Sequence, residues 1–100
     1  LATPILVAWA ENAAYEMAEL CLPDEQTTVG VNINLNHIAA TPVGMKVRIK
    51  VVLSNIESRR LDFTVEAWDT VQKIGEGTHQ RFVVQKMKFM GKVLQKKNPK

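Results

Sequence analysis

Thr3-Pro4-Ile5-Leu6-Val7-Ala8-Trp9-Ala10-Glu11-Asn12-Ala13-Ala14 opens the chain, and its reading decides the fold. A threonine caps orphan amides and a proline suits the first helical position, so Thr3-Pro4 predicts a helix start. Ala, Leu, Glu and Met, all strong helix formers, carry the pattern to about Leu22, where Pro23-Asp24 ends it. Such a helix is about 28 Å long at the standard rise. Its first half is apolar nearly all round, which asks for enclosure rather than for a place on a surface. Glu16 and Glu19 mark a more exposed second half.

After the helix the period changes from helical to two. Val29, Val31, Ile33, Leu35 and His37 alternate with Gly30, Asn32, Asn34 and Asn36, predicting a strand with one apolar face. Thr41-Pro42-Val43-Gly44 reads as a turn. Met45 to Ile56 alternates again, and Leu61 to Asp69 does so with Leu61, Phe63, Val65 and Ala67 on one side. Ile74 to about Met90 reads as a long fourth strand. Gly75 and Gly77 within it predict a bulge or a close backbone approach. Gln95 to Lys100 reads as a frayed basic tail. One apolar helix followed by four antiparallel strands is α+β. The helix is too apolar to cover only one edge of the sheet, so the sheet is expected to wrap it as a central helix, the hot-dog fold. The usual strand before the helix is missing. The chain does not begin with Met, so further N-terminal sequence is expected. Residues 1–100 form one domain whose modest core favours pairing into a homodimer or a dimer of dimers.

The composition removes several classes. With 46% apolar and 23% charged residues the chain is ordinary globular protein. A lone cysteine, Cys21, makes neither an internal disulfide nor a thiolate zinc site, and no metal is expected. The uncharged run Leu1 to Ala10 is too short to span a bilayer, and no basic start makes it a signal peptide, so a cytoplasmic location without membrane association is expected. Charge is segregated. Residues 1–26 hold five acids and no Lys or Arg, whereas residues 86–100 hold six lysines and no acid. Without interleaved aromatics or an arginine cluster the lysines read as a solvated end, not as a nucleic-acid footprint.

Four residue types carry possible chemistry. Glu11 is the only charge among the first fifteen residues. Enclosed with its helix, it needs a partner or a raised pKa, and it stands equally as a reactive or a structural carboxylate. His37 closes an alternating strand on the inward face, where a carboxylate would orient its imidazole as a base. Thr3 is most simply the cap, yet a hydroxyl at a helix N-terminus also faces any ligand drawn by the dipole. Gly30 is a strand residue or a close approach of an amide to a carbonyl. His79, beside Arg81, reads as a partly solvated strand residue.

Two segments resemble a known family. Asn36-His37-Ile38-Ala39-Ala40-Thr41-Pro42-Val43-Gly44 is similar to the His-x-Ala-Ala-Thr-Pro-x-Gly signature of fluoroacetyl-CoA-thioesterase-like hot-dog proteins. Gly75-Glu76-Gly77-Thr78-His79-Gln80-Arg81 resembles that family's Gly-x-Gly-Thr-His-x-Arg. The spacing of Thr3, Glu11 and His37 also fits, and the resemblance runs from Thr3 to about Lys96. It implies that Thr3, Glu11 and His37 act on a thioester, that Gly30 lends an amide to the oxyanion, and that Arg81 helps at the substrate or CoA side. It leaves open whether Thr3 or Glu11 attacks or only orients water. The family's hydrophobic lid lies before the helix, so a short-chain acyl-CoA is implied rather than a fluorinated one in particular. CoA is then part of the substrate and no cofactor is implied. The alternative is a module that binds acyl-CoA without cleaving it. A hot-dog hydratase ranks last, because this chain has no Asp before Asp24 and no His before His37.

Overall fold

The computed structural model describes residues 1–97. Helix α1 spans Thr3–Glu19, followed by strands β1 (Gln26–His37), β2 (Arg48–Glu57), β3 (Arg60–Trp68) and β4 (Lys73–Gln85), and then helix α2 (Lys86–Lys97). The strands form one antiparallel sheet in the order β1-β4-β3-β2. Helix α1 lies along one face of this sheet, closest to the two outer strands, β1 and β2.

Packing follows the residue pattern. Leu6, Ala10, Ala14 and Ala18 recur every four residues and form the buried stripe of α1. Three of the four are alanines, and their small side chains let the helix backbone lie near the sheet. From β3, Leu61, Phe63, Val65 and Ala67 point inward with the expected alternation. Ala14 and Ala18 pack on Leu61 and Phe63, whereas Leu6 packs on Ala67 and Ile74. Fully buried Phe63 is the largest of these side chains, and truncating such a residue typically costs about 3–5 kcal/mol.

Several expectations are corrected. Within one chain the sheet covers only one side of α1, and the outward Ile5 and Trp9 stay 46% and 45% exposed. Four strands do not suffice to enclose a helix that is apolar on both sides. The long fourth strand stops at Gln85, and Lys86 to Lys97 is helical rather than a strand end and a frayed tail. The reason is loss of a partner. Gln85 pairs with Gln26, the first residue of β1, and the Lys86 amide donates to the Glu25 carbonyl at 2.9 Å. Pro23 lies just before that point, and beyond it the Lys-, Met- and Leu-rich segment adopts its preferred helix. Residues 98–100 of the expected tail lie outside the described residues. No helix among the described residues is long and apolar enough to cross a membrane.

Gly77 shows a close backbone approach rather than a bulge. A Cβ there would land on the Asn34 carbonyl oxygen of β1 and 2.8 Å from the Leu35 Cα. At the other edge of the fold, Asp69 ties two connections together. Its Oδ1 accepts the amides of Val71 and Gln72 at 2.7 and 2.8 Å, and its Oδ2 accepts the buried Thr41 hydroxyl at 3.0 Å. The turn after β3 thereby holds the loop that leaves His37.

Gly77→Ala should therefore lower the melting temperature steeply or abolish folding. Gly91→Ala, in α2 with open space around it, should leave stability unchanged or raise it by up to about 1 kcal/mol. The amides of Gln72 and Val71 hold the Asp69 carboxyl below its ordinary value. A depressed folded pKa gives stability that is present above the unfolded value and lost as pH falls through the folded one. The melting-temperature gap between wild type and Asp69→Ala should be full at neutral pH and close only in strong acid. A gap independent of pH would refute the Asp69 link.

Candidate active site

Thr3 is the first residue of α1, and the capping position belongs to Ala2, which offers no side-chain bond. This corrects the expected role of Thr3 as the cap. The Ile5 and Leu6 amides both donate to the Ala2 carbonyl, at 3.1 and 3.2 Å. Freed from capping, the Thr3 hydroxyl lies 2.9 Å from His37 Nδ1. His37 is the last residue of β1 and is half-buried. Its other ring nitrogen, Nε2, is buried and has no hydrogen-bond partner. A buried polar atom without a partner costs about 1–3 kcal/mol, and native proteins seldom tolerate one without use. The first turn of α1 holds no acid, so the positive end of the helix dipole is uncompensated where these two side chains meet.

A second cluster lies farther along the same face. The register of β1 against β4 shifts between Gly30 and Asn32. One extra residue moves the inward face from Thr28 and Gly30, on one side of the bulge, to Ile33, Leu35 and His37 on the other. Uninterrupted alternation would have placed Gly30 opposite His37 in facing. The bulge puts them on the same face, and Val31 turns outward at 47% exposure.

Gly30 pairs with Arg81, and a Cβ on it would sit 3.2 Å from an Arg81 terminal nitrogen and 3.3 Å from His79 Cε1. Arg81 is buried. Its Nε donates to the Thr28 hydroxyl at 2.7 Å, and a terminal nitrogen donates to the Thr28 carbonyl at 3.0 Å. Its guanidinium also lies over the Tyr15 ring, 5.7 Å from the centroid. Burial pushes the guanidinium below its ordinary pKa, and Glu11, Tyr15 and Glu19 oppose this. No carboxylate forms an ion pair with it among the described residues.

His79 is 1% exposed, which corrects the expectation of a partly solvated side chain. It belongs to the inward phase of β4, and the rule that polar side chains face water misleads there. The Thr28 hydroxyl and Tyr15 were likewise not singled out from the sequence. A lysine- and glutamate-free inward phase, Gly77, His79, Arg81 and Val83, is the signal that would have shown His79 as buried.

Glu11 joins this second cluster rather than the first. It is half-buried, not enclosed, and acts electrostatically on both His79 and Arg81. Among the described residues no hydrogen bond links it to Thr3 or His37. Eight residues of helix put it about 12 Å along the axis from Thr3. Gly30 and His37 are separated by roughly 20 Å of strand. Within one chain these residues therefore fall into two separate clusters, Thr3 with His37, and Glu11 with Gly30 and Arg81. An apolar cavity of 380 Å³ lined by Met17, Leu22, Leu53 and Phe63 lies by the other end of α1 and touches neither. No cluster of three or more His, Cys, Asp and Glu side chains fit to hold a metal occurs among the described residues.

Comparison with known proteins places this arrangement. The model of the fluoroacetyl-CoA-specific thioesterase family matches residues 1–87. The fluoroacetyl-CoA thioesterase of Streptantibioticus cattleyicolor is 39% identical over 95 residues, covering 95% of this chain and 68% of that relative. A crystal structure of a variant fluoroacetyl-CoA-specific thioesterase, in complex with fluoroacetate and CoA, superposes with a TM-score of 0.90 at 38% identity, covering 96% of this chain and 75% of that one. A hot-dog-like protein from Thermanaerovibrio acidaminovorans shares the fold alone, with a TM-score of 0.92 at 22% identity over 96% of this chain and 71% of that one. The α+β chain has the hot-dog fold, and it belongs to the fluoroacetyl-CoA-specific thioesterase family.

Proposed function

We propose that the chain hydrolyses a short-chain acyl-CoA thioester to the free acid and CoA, as a single hot-dog domain acting in the cytoplasm. The observation that carries this reading is the 2.9 Å contact between Thr3 Oγ1 and His37 Nδ1, with His37 Nε2 buried and unpartnered. With Nδ1–H donated to the Thr3 oxygen, Nε2 keeps its lone pair and acts as the base. Thr3 then orients the ring. Water gives a proton to Nε2 as its oxygen adds to the acyl carbonyl. The oxyanion forms beside the positive end of α1 and a Gly30 amide. Collapse breaks the C–S bond, and the imidazolium returns its proton to the departing CoA sulfur. Arg81 holds negative charge on the CoA side, and Glu11 balances that cation. CoA enters as substrate, and the mechanism calls on no cofactor.

These two clusters are half-sites that lie too far apart to serve one carbonyl within a chain. We infer that the enzyme is a homodimer in which Thr3 and His37 of one copy face Glu11, Gly30 and Arg81 of the other. Exposed Ile5 and Trp9 on the outer face of α1 support such pairing.

Free-thiol release from acetyl-, propionyl- and longer acyl-CoAs tests the reaction. His37→Ala should reduce turnover about 10²–10⁴-fold, the usual contribution of a positioned base. Turnover that is absent in wild type with intact thioester retained on the protein would instead identify a binding module. Turnover unchanged in His37→Ala would refute the base. Thr3→Ser should stay active while Thr3→Val loses activity without a large change in melting temperature. A refolded equimolar mixture of inactive His37→Ala and Glu11→Gln should regain about a quarter of wild-type activity, because each mixed dimer holds one intact site. No recovery would place Glu11 and His37 in one chain's site, and a Glu11→Gln that is active by itself would place Glu11 outside it.

A further inference from the structure

His79 is bonded at both ring nitrogens, and each bond reaches a different part of the second half-site. Nδ1 lies 2.7 Å from the Asn32 carbonyl, which can only accept, so Nδ1 carries the proton. Nε2 is then the acceptor for an Arg81 terminal N–H at 3.3 Å. The Asn32 carbonyl belongs to the bulge that turns Gly30 inward. The imidazole stacks on Phe63, with centroids 6.3 Å apart and planes at 30°, and that ring is itself fully buried. A Cβ on Gly30 would crowd both groups, the Arg81 terminal nitrogen at 3.2 Å and His79 Cε1 at 3.3 Å. Burial, and the Arg81 charge, favour the neutral ring that both bonds require.

We propose that His79 is a positioning residue: as a neutral Nδ1–H tautomer wedged on Phe63, it pins the β1 bulge that presents Gly30 and, through its other nitrogen, fixes the Arg81 guanidinium. This rests on the reading of Gly30 and Arg81 as the oxyanion and CoA sides of a thioesterase site. His79 itself touches no substrate. Its two bonds separate two kinetic effects. The bond to Asn32 acts on Gly30, hence on the transition state. The bond to Arg81 acts on CoA binding.

Side-chain amides imitate the two nitrogens one at a time. Asn matches the reach of Nδ1 and Gln that of Nε2. His79→Asn keeps the bulge bond and loses the Arg81 acceptor, and should raise KM for acyl-CoA about tenfold with kcat within twofold of wild type. His79→Gln keeps the Arg81 acceptor and loses the bulge bond, and should lower kcat about tenfold with KM within twofold. His79→Phe should show both defects if it folds. A merely structural histidine would instead move kcat and KM of all variants together, in step with melting temperature, and that pattern overturns the proposal. The resonance of the Arg81 terminal N–H that His79 accepts, observed in ¹⁵N spectra, reads the positioning without turnover. It should remain a slowly exchanging, displaced signal in wild type and His79→Gln, and move to the position of a free guanidinium in His79→Asn. An unchanged signal in His79→Asn overturns the positioning role even if the enzyme is active. A changed signal in a protein that cleaves no thioester leaves the His79–Arg81 link standing and removes only the thioesterase reading.

Discussion

Ala10, Ala14 and Ala18 give α1 almost no side-chain bulk toward the sheet. The close approach of helix and sheet that follows is the constraint on which the rest of the structure depends. Larger residues at these positions would hold α1 farther from β3, and Leu61 and Phe63 would lose their contacts with it. Interiors are close-packed, so such a displacement cannot be absorbed locally. The same closeness sets the position of the helix start. With Leu6 seated on Ala67 and Ile74, Thr3 arrives at the end of β1, within hydrogen-bond distance of His37. A capping alanine leaves that hydroxyl free for the contact. Packing over the length of the helix thus delivers one short polar contact at its tip.

The β1 bulge is the second determinant. Without the extra residue between Gly30 and Asn32, Gly30 would turn away from the face that His37 occupies. With it, a basic cluster forms under Gly30, and a buried guanidinium is held by a hydroxyl, a carbonyl and an imidazole instead of by a carboxylate. A buried cation satisfied by neutral acceptors keeps its positive potential for an incoming anion. The strand that unites the two half-sites on one face also holds them far apart. The proposed catalytic unit made from two copies answers that separation.

Much of this was legible in the residues. The alternation of Leu61, Phe63, Val65 and Ala67 identifies β3 and its inward face directly, because an antiparallel strand with one buried side has no other way to distribute those side chains. Thr3 and His37 stand out because each ends a regular element, and the structure brings them together. Three features were hidden for physical reasons. The bulge leaves no mark in the pattern, since Val31 suits either facing. His79 looks solvated because the preference of polar side chains for water is statistical, and a bonded cluster overrides it. The end of β4 is set by where β1 begins to pair, not by Phe82, Val83 and Val84 themselves, so strand-forming residues run up to an abrupt helix. Glu11 was expected to be enclosed because its neighbours are apolar, but a four-stranded sheet covers only one side of α1.

The central claim is that Thr3 holds one nitrogen of His37 so that the other faces the substrate. ¹⁵N spectra of the His37 ring, free and with a non-hydrolysable thioether analogue of acetyl-CoA, test it most directly. The account predicts that Nε2 shifts on binding while Nδ1 keeps its bonded value, and that in Thr3→Val the Nδ1 signal changes even without ligand. A ring that does not respond to bound analogue, or an Nδ1 signal indifferent to Thr3→Val, would contradict it.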